Sequence, residues 1–134
     1  MKYPSMDQWI KEAKEDPSAL ECGMFLFHNG VVRSTPKAKV RKLEAAEQLG
    51  KKTVSGMNFM YDPEKVEAAR KKALELPGIY YVRIWLNEGI LQTGDDIMLV
   101  LVGGDIRPHV IDALQSLVGE IKKNCVSEKE IYTD

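Results

Sequence analysis

A chain of 134 residues, 44% hydrophobic and 29% charged, has material for one ordinary core and too little for two, so a single domain over residues 1–134 is expected. The formal net charge of −1 supplies no global basic field for nucleic acid or an anionic membrane, which leaves any anion site to a local cluster of cations. The N-terminus lacks the charged-then-apolar pattern of a secretory signal, and no apolar run approaches the roughly 18–20 residues that span a bilayer; a soluble, cytoplasmic protein is expected.

Ser5 and Gln8 stand at capping-box spacing before Trp9, Ile10 and Ala13, which predicts a short helix ending near Asp16-Pro17. The mostly apolar stretch from Met24 to Val32 predicts a strand, with a bulge or kink where His28-Asn29-Gly30 interrupts it, and Arg33 leaves its end. Between Pro36 and Gly50 the chain is strongly charged. Val40, Leu43, Ala46 and Leu49 recur there at helical spacing and predict a marginal surface helix, whose basic start (Lys37, Lys39, Arg41, Lys42) reads as a solvated face. Met57, Phe59 and Tyr61 alternate with smaller or polar residues, as a half-buried strand requires.

Asp62-Pro63 opens a helix with Val66, Ala69, Ala73 and Leu76 on one face, and Pro77-Gly78 stops it. The aromatic and β-branched run from Ile79 to Leu86 predicts a strand. The continuous apolar run from Ile97 to Val102 predicts a buried central strand, with turns at Gly89 and Gly94 between the two. Asp105 is placed to cap a last helix, with Pro108 near its first turn and an apolar stripe of Val110, Ile111, Leu114, Leu117, Val118 and Ile121. The charged tail from Glu128 to Asp134 has no evident buried anchor and is expected to be extended or mobile. This order describes an α+β domain whose helices cover one face of a mainly antiparallel sheet.

The sequence holds no GxSxG, HExxH or P-loop motif, and no GxGxxG after a strand, so hydrolase and metalloenzyme chemistry lose their usual support and no metal or cofactor is expected. The two cysteines, Cys22 and Cys125, lie in no metal-ligand spacing and read as small structural residues. His28 and His109 are far apart and read as hydrogen-bonded or surface histidines. What remains is a set of basic residues at element ends: Arg33, Arg107, Lys122 and Lys129. Arginine suits bidentate recognition of phosphate or carboxylate, and a desolvated lysine can lose its proton and become nucleophilic.

Gly23, Gly30, Val32 and Arg33 fall where the large, catalytic subunit of molybdopterin synthase (the MoaE-like family) has the glycine, glycine, valine and arginine of its first core strand. The stretch Gly89-Ile90-Leu91-Gln92-Thr93-Gly94-Asp95 resembles that family's GxLxxG(E/D) turn, which leads through an apolar strand to a histidine-arginine pair opening a long helix. Ile106-Arg107 stands at the pair, and the family's two reactive-site lysines fall in the same register on Lys122 and Lys129. The departures are Leu86-Asn87 at an earlier histidine-arginine pair, Ile106 for the second histidine, His28 for a phenylalanine, and Val126-Ser127-Glu128 for proline-isoleucine-tryptophan. The retained set is basic; the lost set is imidazole and aromatic.

The resemblance implies a hammerhead-like α/β fold and a homodimer, for which Ile79 to Leu86, with Tyr80, Tyr81 and Trp85, offers the best apolar surface. It implies a pterin phosphate as substrate and, as sulfur donor, a small ubiquitin-like sulfur-carrier subunit with a Gly-Gly end that carries a thiocarboxylate. Arg33 and Arg107 would hold the phosphate, while Lys122 and Lys129 would polarise or attack the carbonyl side of the chemistry. Two other readings stand beside it: a non-catalytic relative that keeps the scaffold and an anion pocket as a binding or regulatory module, and a free-standing α+β protein that binds a nucleotide or another phosphate ligand.

Overall fold

The computed structural model describes residues 3–42, 46–50 and 52–133. Helix α1 (Met6–Glu15) begins where expected: the Ser5 side chain accepts from the Gln8 N–H, and the helix ends at Asp16. A 3-10 turn over Pro17–Glu21 leads into strand β1 (Met24–Val31). Its pairing register shifts between Gly30 and Val31, which is the bulge that the glycine predicts. The charged segment after Arg33 forms two short helices, α2 (Lys37–Val40) and α3 (Ala46–Leu49), in place of one marginal helix; Leu43 of the expected stripe lies outside the described residues.

Strand β2 (Thr53–Tyr61) is followed by α4 (Pro63–Leu74), β3 (Ile79–Leu86), β4 (Gly89–Gln92), β5 (Asp96–Gly104) and α5 (Arg107–Glu120). Asp62 caps α4, its Oδ1 accepting from the Glu64 and Lys65 N–H groups at 3.0 and 3.4 Å. Asp62→Ala is therefore expected to lower the unfolding free energy by about 1 kcal/mol, read as a lower midpoint in urea with an unchanged slope. Asp105 does not take the corresponding position on α5. The N-cap is Ile106, without a side-chain cap, and the Asp105 carboxylate instead accepts from the Ile106 N–H at 2.6 Å and meets His109 Nδ1 at 2.8 Å.

With a last strand, β6 (Val126–Thr133), the described residues form two three-stranded antiparallel sheets, ordered β1-β5-β3 and β4-β2-β6. Strand β6 pairs along β2, so the tail is extended and built into a sheet. Stretches read as a turn and a chain end are thus both edge strands. Each is short on apolar residues because only one face of it meets a core.

β5 is the central strand of its sheet, and from Ile97 to Gly104 every residue is buried. Alternation sends Met98, Val100 and Val102 into a core shared with β2, α4 and α5, and Leu99 and Leu101 toward Trp9 and Ala13 of α1. Helices therefore lie on both faces of this sheet, which corrects the expectation of one covered face: a strand apolar on both sides needs a cover on each. Arg83 fastens α1 in place, its guanidinium 2.8 Å from Glu12 and 4.4 Å from the Trp9 ring centroid. The Glu12 carboxyl is held below its usual range by that hydrogen bond. Of the β3 aromatics expected at a dimer surface, Tyr81 and Trp85 pack against the core under α1 and Tyr80 is exposed.

No described helix is long and apolar enough to cross a membrane.

Candidate functional site

β1 and α5 run in the same sense, both opposite to β5, and that places the site. Met24 of β1 pairs with Gly104, just before α5 starts, and seven residues later Val31 pairs with Asp96 at the far end of the sheet. The 14 residues of α5 span about 21 Å, close to the roughly 24 Å length of β1, so the helix carries the chain back to the Val31 end. A π-helical turn over Ile121–Cys125 follows, with Ile121 and Cys125 buried and Lys122 left exposed. Lys122 and Arg33 consequently line one cavity of about 230 Å³.

The cavity lies between the two sheets. Met98 of β5 and Met57 of β2 contribute its apolar surface, and Gly30 keeps it open, since a Cβ there would come within 3.2 Å of the Met98 Cγ. Lys37 and Arg41 line it from α2, which corrects the reading of that basic run as a merely solvated face. The two are four residues apart, the spacing that puts side chains on one side of a helical turn; that signal was available in the sequence.

Glu128 and Glu130 enter the same cavity from β6. The Lys37 Nζ lies 3.8 Å from Glu128, and the Lys37 backbone N–H donates to Glu130 at 2.9 Å, so the two carboxylates pin α2 across the mouth. Four cations still face two carboxylates. Arg33, Arg41 and Lys122 make no ion pair among the described residues, which leaves three positive groups for an incoming anion.

The other two predicted site residues are not brought here. Lys129 sits between Glu128 and Glu130 on β6, so alternation turns it to the opposite face, where it is exposed. Arg107 opens α5 and is separated from Arg33 by about one helix length. Within one chain the basic pocket consists of Arg33, Lys37, Arg41 and Lys122, not of Arg33, Arg107, Lys122 and Lys129.

His28 also lines the cavity and departs from its sequence reading, for it is half-buried and its Nε2 is enclosed without a hydrogen-bond partner among the described residues. An unsatisfied buried group of this kind costs on the order of 1–3 kcal/mol. Burial, and then the positive charge of Lys122, push its imidazole below the usual histidine range, so it is neutral at pH 7. His109 is hydrogen-bonded, as read from sequence. Cys125 belongs to the core, and burial pushes its thiol above the usual range, which keeps it protonated. Among the described residues no group of three or more His, Cys, Asp or Glu side chains could hold a metal ion.

Fold and site together define an α+β protein with a small, cation-walled anion cavity between two sheets. The family model of the MoaE protein matches residues 4–124, and the chain belongs to that family. No curated protein sequence matches it. Its fold is similar to that of a molybdopterin synthase from Staphylococcus aureus, with a TM-score of 0.73 at 19% identity, covering 100% of this chain and 89% of the other. A molybdopterin biosynthesis MoaE protein from Burkholderia ambifaria gives 0.69 at 16% identity, covering 100% and 85%. A complex of subunits 1 and 2 of the molybdopterin-converting factor from Helicobacter pylori gives 0.63 at 17% identity, covering 98% and 85%.

Proposed function

We propose that this protein acts in molybdenum cofactor biosynthesis as the large subunit of a molybdopterin synthase, transferring sulfur from a thiocarboxylated small subunit to a pyranopterin monophosphate. Membership of the MoaE family supports the biosynthetic role. The observation that carries the finer reading is the meeting of Arg33 and Lys122 in one cavity, although they are far apart in sequence. Arg33 holds the substrate phosphate with charge-assisted hydrogen bonds, aided by Arg41 and Lys37. Lys122 donates a hydrogen bond to the oxygen of the thiocarboxylate carbonyl, polarising the carbon that bears the sulfur.

Arg107 serves this reaction only through a second copy of the chain, and the homodimer implied by the resemblance would bring it to a neighbouring cavity. Lys129 has no part in the cavity chemistry proposed here, because its side chain leaves β6 on the other face. The complex of two converting-factor subunits among the similar folds supports a small sulfur-carrier partner for this chain as well.

The test is reconstitution. Purified protein, the thiocarboxylated carrier and the pterin precursor are expected to yield molybdopterin, measured as its fluorescent oxidation product. Product no higher than in a control lacking this chain overturns the catalytic reading. That outcome would favour a non-catalytic relative that keeps the scaffold and the anion pocket.

A further inference from the structure

Among the described residues of the cavity wall, His28 is the one side chain able to donate a hydrogen bond that the proposed chemistry leaves unused. It stands on β1 opposite Val100 and on the same face as Gly30, two residues on. Its Nε2 lies 3.6 Å from where a Gly30 Cβ would project, and Gly30 itself lines the cavity, so the orphaned nitrogen sits at the rim of the open space that the missing side chain leaves. Lys122 approaches closely enough to disfavour a second positive charge on the imidazole, yet no described group hydrogen-bonds to Nε2. The neighbouring apolar surfaces, Met98 and Met57, can offer it nothing.

In its Nε2–H tautomer the imidazole presents a buried donor flanked by cations, which an anion completes: one oxygen can accept from Nε2 while the others face Arg33 and Lys122. We propose that His28 is a ligand-binding residue of this cavity, donating from Nε2–H to a tetrahedral oxyanion held between Arg33 and Lys122. The inference rests on reading the cavity as an anion site. It assigns a selective role to a position where the family resemblance has phenylalanine, which fills the same space and donates nothing. Recognition at this wall thereby shifts from shape alone to a directed hydrogen bond, favouring phosphate-type groups over planar carboxylates of equal charge.

The experiment is sulfate binding to the full chain at constant ionic strength, because sulfate keeps its charge across neutral pH. It is followed by calorimetry and by the imidazole Cε1–H resonances, with His109→Asn assigning the two histidines. Sulfate is expected to shift the His28 resonance and leave that of His109 in place. His28→Phe should weaken binding about tenfold, and His28→Gln, which keeps a donor, should stay within roughly threefold of the parent.

Unchanged affinity in His28→Phe, or an unmoved His28 resonance at saturation, overturns the proposal. Arg33→Ala and Lys122→Ala separate the two levels. If neither weakens sulfate binding, the anion-site reading falls and this inference with it. If both weaken it while His28→Phe does not, only the role of His28 is lost. Circular dichroism of each variant shows that the fold is retained.

Discussion

Replacing Lys122 with alanine is expected to lower molybdopterin formation by roughly 10² to 10⁴, with folding unaffected. The side chain is exposed at the cavity wall and carries no ion pair among the described residues, so its loss removes the proposed reacting group without disturbing packing. Arg33→Ala should behave differently. An arginine that holds a phosphate in both ground and transition states mainly affects KM, by about 10- to 100-fold for a lost charged hydrogen bond. Single-turnover rates with saturating precursor distinguish the two. If Lys122→Ala turns over at the parent rate, the amine has no chemical part; if Lys129→Ala is the variant that loses turnover, the geometry of β6 has been read wrongly.

Phe59→Ala is expected to cost about 3–5 kcal/mol of stability, the range for a fully buried aromatic cut back to a methyl group. Phe59 is 0% exposed on β2 and belongs to the core shared with α4, α5 and the other sheet, so its truncation leaves a cavity inside that core. The melting temperature should fall by roughly 10–20 °C. A fall of only a few degrees would mean that the two sheets do not share one core. Because the anion cavity lies between those sheets, the same variant should also weaken sulfate binding under conditions where it remains folded.

Elements whose signal is local were legible in the sequence. The Ser5 cap fixes where α1 begins, the unbroken apolar run marks β5 as a strand buried on both faces, and the glycine in β1 marks its bulge. β4 and β6 were not legible as strands. β4 is four residues long between turn glycines, and β6 alternates Glu128 and Glu130 with Ser127 and Lys129, a pattern that looks like a charged tail until β2 is known to lie beside it. The site divides in the same way. Arg33 and Lys122 could be named from sequence motifs, but His28 could not, and the four-residue spacing of Lys37 and Arg41 puts them on one side of a turn without telling a solvated turn from one at the mouth of a cavity.

By itself, then, the sequence determined the types of the longer elements, the buried central strand and the basic character of the site, all of which depend on periodicity and residue chemistry over a few neighbours. Only the tertiary structure decided which charges meet. The near-equal lengths of β1 and α5 bring Lys122 back to Arg33 and leave Arg107 at the opposite end, while the two-residue alternation of β6 puts Glu128 and Glu130 into the cavity and turns Lys129 away from it. Convergence of side chains depends on where long-range pairing places whole strands, and no local pattern contains that distance.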